Sequence, residues 1–87
     1  PGFSAAAAEF LINERNIKGI GLDTPSIDHG KSNDFKVHRI CFAAGKLAIE
    51  NIANFDRLPA MGAILYVIPM SIKDCTGAPA RAFAVLP

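Results

Sequence analysis

Hydrophobic positions change their spacing twice between residues 17 and 50, and these changes predict a strand, a helix and a second strand. Residues 17–23 favour a strand, and residues 47–50 alternate, with Leu47 and Ile49 pointing one way and Ala48 and Glu50 the other. The apolar residues of the segment 35–44 recur at helical spacing: Val37, Ile40, Cys41 and Ala44. A strand–helix–strand unit of this length joins two parallel strands by a right-handed crossover. The sequence therefore predicts a βαβ unit.

The flanking segments predict three more elements. Residues 5–15 favour a helix, since Ser4 can cap its first turn and Asn16 can adopt the left-handed conformation that ends it. Residues 62–72 are nearly all apolar, which is typical of a strand covered on both faces. Residues 80–86 predict a last strand, antiparallel to that one. Together these elements indicate an α/β fold with a mixed sheet.

Three chemically active side chains are expected at one edge of this sheet. Asp23 and Glu50 end the two parallel strands, and His38 lies in the first turns of the helix that starts at the same edge. Ligands of open α/β sheets bind beyond the carboxyl ends of the strands. The loop over residues 24–33 is longer than most such connections, and long ordered loops are often functional. Ser32, Asn33 or Asp34 can cap the helix that follows the loop.

His38 and Glu50 allow two interpretations. A neutral imidazole and a carboxylate suit zinc or manganese, but the spacing alone favours a His–Glu hydrogen bond that only holds the helix on the sheet. Asp23 is either a third ligand or a cap at the start of the loop. Cys41 lies one turn after His38, as in a Cys–His nucleophile pair, but its place on the apolar face favours a buried, inert thiol. His29 is expected to be a solvated loop residue.

Composition limits the class of protein. The chain has 87 residues, enough for one domain, yet 51% are apolar and only 20% charged, so it should lie against another chain or belong to something larger. A net charge of +1 without a basic run gives no support for nucleic-acid binding. The apolar run at 63–69 is too short to span a membrane, and no signal peptide is visible. Two unpaired cysteines fit a reducing, cytoplasmic setting.

Four stretches resemble the cyclase family of metal-dependent hydrolases, which includes kynurenine formamidase and isatin hydrolase. They read GIGLDTPSID, DFKVHRICFAAGKLAIENIANFDRLP, GAILYVIPMSI and TGAPARAFAVL. The resemblance covers nearly the whole chain and implies the carboxy-terminal portion of a single cyclase-like domain, an incomplete swivelling β/β/α fold. Pro1 in place of an initiator Met agrees with a truncated or cleaved start.

The resemblance also implies a chemistry, namely hydrolysis of an N-formyl arylamine or a cyclic amide by metal-activated water. His38 and Glu50 match the family's carboxy-terminal His and Glu beside the metal centre, as metal ligands or as a proton shuttle and its partner. The family's main metal motif, His-x-Gly-Thr-His-x-Asp-x-Pro, does not occur in this sequence. The implied metal is zinc or manganese.

Two functional hypotheses follow. The first is an amidohydrolase part, with a small amide as substrate and either a homo-oligomer or the missing amino-terminal half as partner. The second is a non-catalytic fragment or divergent relative that acts as a structural or assembly module. A His-x-Gly-Thr-His-x-Asp stretch encoded upstream would favour the enzyme.

Overall fold

The computed structural model describes all 87 residues, which form two compact units, Pro1–Ala53 and Asn54–Pro87. The first unit contains two helices and two short strands, and the second contains a 3-10 turn and a hairpin. In chain order the elements are α1 (Ala5–Arg15), β1 (Gly19–Gly21), α2 (Lys36–Ala43), β2 (Leu47–Ile49), the 3-10 turn (Phe55–Arg57), β3 (Ile64–Pro69) and β4 (Ala80–Val85).

Helix α1 has the caps that the sequence predicts. The hydroxyl oxygen of Ser4 accepts the N–H of Ala7 at 3.1 Å, and Asn16 ends the helix in the left-handed region at φ 49°. A cap of this kind is worth about 1 kcal/mol, because it satisfies a donor that the first turn leaves without a partner. The predicted bounds of this helix are confirmed.

The predicted βαβ unit is also confirmed. Strands β1 and β2 are parallel, with Gly19 opposite Leu47, and α2 lies between them in the chain. Both strands have only three residues, so they are shorter than predicted. A Cβ atom on Gly19 would lie 2.8 Å from the Cβ of Leu47, which explains why the strand has a glycine at this position.

The core of the first unit joins both helices, β1 and the loop before α2. Its five buried residues are Ala8, Ile20, Ile27, Val37 and Cys41. Ile27 belongs to the long loop between β1 and α2, yet its side chain is fully buried. The loop is therefore held by the core at the residue that precedes Asp28.

The second unit is an antiparallel hairpin, as predicted. Ile64 pairs with Val85, and Tyr66 stacks on the opposite residue Phe83 with ring centroids 5.0 Å apart. The predicted single mixed sheet is wrong, because the parallel and antiparallel pairs form two separate sheets. The expectation that β3 is covered on both faces also fails for this chain. Only Val67 of β3 is partly buried, since a two-stranded sheet leaves most of its side chains in solvent.

The helices do not provide a membrane span. Neither combines the length and the apolar character that crossing a bilayer requires.

Candidate active site

The site is built around the loop that follows β1, and local hydrogen bonds shape this loop. The hydroxyl of Thr24 donates to the carbonyl of Ser26 at 2.7 Å, and the hydroxyl oxygen of Ser26 accepts the N–H of Asp28 at 3.1 Å. Such side-chain contacts to nearby backbone replace a regular ladder in turns. They present Asp28 at the start of α2.

The amino-terminal segment packs against the same loop. The N–H of Phe3 donates to the carbonyl of Ile27 at 2.9 Å. A Cβ atom on Gly2 would lie 2.5 Å from the carbonyl carbon of Asp28, so only glycine allows this close approach of two backbones. The position of Asp28 therefore depends on residues far away in sequence as well as on its own turn.

Asp28 caps α2 from within the loop. Its side chain is buried, at 3% exposure for the residue. One carboxylate oxygen accepts the N–H of Val37 at 2.9 Å, and the other accepts the N–H of His38 at 3.1 Å. The predicted cap by Ser32, Asn33 or Asp34 is thus wrong for these two donors. Ser32 accepts only the N–H of Phe35, at 3.2 Å, one residue before the helix begins.

The imidazole of His38 bridges two carboxylates. Its Nδ1 lies 2.8 Å from Oδ2 of Asp28, and its Nε2 lies 3.0 Å from Oε2 of Glu50. The same Oε2 accepts the N–H of Ile27 at 3.2 Å. A closed ring of contacts results, running from Ile27 through Asp28, His38 and Glu50 back to Ile27. The prediction that His38 and Glu50 lie close together is confirmed, whereas their function stays a prediction.

Counting protons restricts the states of this cluster. A neutral imidazole has one donor and one acceptor nitrogen, whereas two ionised carboxylates only accept. A proton must therefore lie between each ring nitrogen and its carboxylate. Between Nε2 and Glu50 it can be carried by the imidazole or by the carboxyl group, so these two atoms share one transferable proton.

Two phenylalanine rings flank the imidazole on the surface of α2. The centroid of Phe35 lies 5.8 Å and that of Phe42 5.7 Å from the His38 ring, both in edge-to-face geometry. The side chain of His38 is 23% exposed. Phe35 adopts the left-handed region at φ 51°, which is unusual for a bulky residue. The rings thus restrict the imidazole while leaving part of it open.

The charges around the cluster shift two pKa values. Burial raises the pKa of Asp28, but the N–H groups of Val37 and His38 and the imidazole outweigh burial, so its pKa lies below the usual 3.8. Burial raises the pKa of the Cys41 thiol, and the negative charge of Asp28 raises it further. Asp28 is therefore ionised at neutral pH, and Cys41 is a protonated thiol.

The other residues singled out from the sequence do not join the cluster. Asp23 is exposed and forms no hydrogen bond or ion pair with His38 or Glu50, and no group of three side chains is placed to hold a metal, so the structure gives Asp23 no role as a third ligand. Strand β1 ends at Gly21, and the loop then folds back so that Asp28 occupies the place beside His38. His29 is exposed, and its Nδ1 accepts the N–H of Lys31 at 3.3 Å. Cys41 is fully buried.

Sequence reasoning missed Asp28 as a member of the site. An Asp ahead of a helix is a common cap, but caps are sought at the residue next to the first turn. Asp28 lies nine positions before Val37, whose N–H it accepts. Apolar Ile27 inside a polar loop was the available signal, because an apolar residue there can fix the loop in the core.

The side chains of this cluster can supply some of the ligands of a metal site, but not all of them. No group of three or more His, Cys, Asp and Glu side chains is placed to hold a metal ion. The oxygens of Asp28 already accept three N–H groups, which leaves the Nε2 atom of His38 and the carboxylate of Glu50 as the possible metal ligands. One imidazole and one carboxylate suit zinc or manganese, and further ligands would have to come from elsewhere.

Comparisons with known proteins show to which family the chain is related. The sequence model described as "Putative cyclase" matches residues 1–29. The chain is 34% identical to isatin hydrolase of Roseibium aggregatum over 91 residues, which cover 100% of this chain and 34% of that protein. It is 32% identical to kynurenine formamidase of Bacillus cereus over 82 residues, which cover 94% of this chain and 38% of that protein.

A solved structure gives the same result. The chain matches isatin hydrolase A from Labrenzia aggregata, bound to benzyl benzoate, with a TM-score of 0.94 and 40% sequence identity. The match covers 99% of this chain and 35% of that structure. These findings confirm the resemblance to the cyclase family. The chain spans about a third of the length of the curated relatives that it matches.

Proposed function

We propose that this chain, a cyclase-family relative over about a third of its relatives' length, supplies the carboxy-terminal part of a metal-dependent amidohydrolase. The proposed substrate is an N-formyl arylamine or a cyclic amide. The observation that carries the proposal is the contact of 3.0 Å between Nε2 of His38 and Oε2 of Glu50. It occurs in a chain similar to isatin hydrolase and kynurenine formamidase along nearly its whole length.

The proposed metal ligands are Nε2 of His38 and the carboxylate of Glu50, joined by ligands from the rest of the protein. When bound, zinc or manganese would supply a water molecule acidic enough to act as a nucleophile at neutral pH. The N–H of Ile27 holds one oxygen of Glu50 at 3.2 Å and so keeps the carboxylate directed at His38. Partners of this kind orient metal ligands in many sites.

Proton transfer is the alternative role for the pair, because a metal-bound Nε2 carries no proton. Nε2 of His38 and Oε2 of Glu50 share one proton, as the count of donors and acceptors requires. A positioned proton donor contributes about a hundredfold or more to a hydrolysis in which an amine leaves. His38 would give its Nε2 proton to the departing nitrogen, while Glu50 would stabilise the imidazole that carries it.

The alternative is a non-catalytic structural or assembly module. Its support is the exposed apolar surface of β3 and β4, where Ile64 is 59% and Ile68 is 56% exposed. Such a surface fits an interface with a second copy of the chain or with an amino-terminal half. Both hypotheses require this surface to be covered, so only a measurement of turnover distinguishes them.

The test uses the intact protein that contains this chain, loaded with zinc or manganese. His38→Ala and Glu50→Ala should each lower the turnover of N-formylkynurenine by about a hundredfold or more. His29→Ala and Glu9→Ala are matched controls, because both side chains are exposed and lie outside the cluster. Melting curves for all four variants separate loss of chemistry from loss of fold.

Two outcomes would contradict the proposal. Turnover at the wild-type level in both cluster variants would remove His38 and Glu50 from the mechanism. A folded, metal-loaded wild-type protein that hydrolyses no formamide or cyclic amide would favour the assembly module instead.

A further inference from the structure

Asp28 is the residue that contacts both the start of α2 and the imidazole of His38. Two of its contacts are to backbone N–H groups of α2, and the third is to Nδ1 of His38 at 2.8 Å. We infer that Asp28 is a positioning residue that keeps a proton on Nδ1 of His38 and thereby leaves Nε2 as the reactive nitrogen beside Glu50. The reactive role given to Nε2 rests on the proposed function, whereas the hydrogen bond between Nδ1 and Asp28 does not.

The chemistry of the acceptor assigns the proton. An ionised carboxylate can only accept, so the atom 2.8 Å from Oδ2 must bring a hydrogen. Asp28 is 3% exposed, so water does not compete for this contact. The hydrogen bond made by one ring nitrogen sets the tautomer of the other. Nε2 is consequently the nitrogen that can lose or accept a proton, or bind a metal.

Backbone N–H groups of α2 fix the orientation of the Asp28 carboxylate. Oδ1 is held by the N–H of Val37 at 2.9 Å, and Oδ2 is held by the N–H of His38 at 3.1 Å. The carboxylate therefore cannot rotate without breaking a bond to the helix. Because Asp28 is fixed to the helix that carries His38, it fixes the imidazole in the plane that faces Glu50.

A side chain without any acceptor is the sharpest perturbation at position 28. Asparagine is too mild, because its oxygen in the place of Oδ2 still accepts both N–H groups of His38 and leaves only that of Val37 without an acceptor. Leucine has a similar shape and accepts nothing. In Asp28→Leu the ring proton is free to move to Nε2, where Glu50 accepts it.

The experiment is nitrogen NMR of the intact protein labelled with 15N-histidine, with and without metal. The His38 signals are identified by their loss in His38→Gln. We expect a protonated Nδ1 in the wild type and in Asp28→Asn, and a large fraction of the Nε2–H tautomer in Asp28→Leu. Turnover in Asp28→Leu should fall about 10- to 100-fold in kcat, the scale for the loss of an orienting partner, with KM changed less than about twofold.

Ser32→Ala is the matched control. Ser32 also accepts an N–H at the start of α2, that of Phe35 at 3.2 Å, but it does not contact His38. Its removal should lower stability while the His38 tautomer and kcat stay at wild-type values. A purely structural role of Asp28 predicts the same behaviour for Asp28→Leu and Ser32→Ala, so a tautomer shift in Asp28→Leu alone supports the inference.

Several results would overturn the inference. An unprotonated Nδ1 in the wild type would do so at once, and so would a wild-type tautomer in a folded Asp28→Leu variant. If that variant fails to fold, the wild type still decides, because an Nδ1 hydrogen protected from solvent exchange supports the inference and an unprotected one contradicts it. A wild type without amidohydrolase activity would refute the proposed function but leave the tautomer measurement intact.

Discussion

Replacing Asp28 by asparagine should destabilise the protein far more than the same change at an exposed aspartate. Three N–H groups donate to the Asp28 carboxylate, and hydrogen bonds to a charged group are worth about 1.5–3 kcal/mol each. The amide retains one or two of them. We therefore expect the free energy of unfolding to fall by about 2–4 kcal/mol at pH 7, more than the roughly 1 kcal/mol of an ordinary helix cap.

The stabilising effect of Asp28 should depend on pH, and the shift of its pKa determines in which direction. The pKa of Asp28 is lower in the folded protein than its usual 3.8, so its stabilising effect is complete above that value and is lost as the pH falls through the folded pKa. The difference in stability between wild type and Asp28→Asn should thus shrink as the pH falls below about 4.

The assay is urea unfolding of the metal-free intact protein at a series of pH values from roughly 2.5 to 7. Asp34→Asn is the matched control, because Asp34 lies near the same helix start with a side chain 49% exposed and 3.9 Å from Lys36. An exposed pair of this kind contributes at most about 1 kcal/mol. Equal losses for the two variants at pH 7, or a loss at Asp28 that does not shrink in acid, would refute the reasoning.

Two further predictions concern the thiols and the apolar surface. Cys75 is exposed, whereas Cys41 is fully buried and its pKa is raised. A thiol reagent should therefore modify Cys75 rapidly and Cys41 only after unfolding. Fast reaction of Cys41 in a folded Cys75→Ser variant would contradict this prediction. The isolated 87-residue chain should associate or aggregate in sedimentation experiments, since Leu65, Ile68 and Val85 are each 49% or more exposed. A monodisperse monomer with a cooperative melt would show that the chain needs no partner.

Elements set by local signals can be predicted from the sequence. Helix α1 has the predicted bounds, because Ser4 and Asn16 are caps whose effect does not depend on distant residues. The parallel pairing of β1 and β2 follows from the change in hydrophobic period and the handedness of crossovers. The predicted bounds of the strands are less accurate, since tertiary contacts decide where a ladder ends.

Elements set by non-local contacts cannot be predicted in this way. The period of a strand shows that it pairs but not with which neighbour, so the sequence predicts one mixed sheet where there are two sheets. Asp23 stands out in the sequence because it follows a predicted strand, whereas Asp28 lies in the middle of a loop. The fold of that loop depends on Gly2, Phe3 and Ile27, and no spacing rule connects these residues.

The same contacts explain how the candidate site is held. Ile27, Asp28, His38 and Glu50 form a closed ring, and all four belong to the unit Pro1–Ala53. Each of the three side chains has a backbone donor or a neighbouring side chain that fixes it, and no buried side-chain nitrogen or oxygen lacks a partner. Because a fully satisfied polar network is rigid, a shift of one member would strain the contacts of the others. The direction in which Nε2 of His38 points is therefore determined by the same loop and helix start that stabilise the first unit.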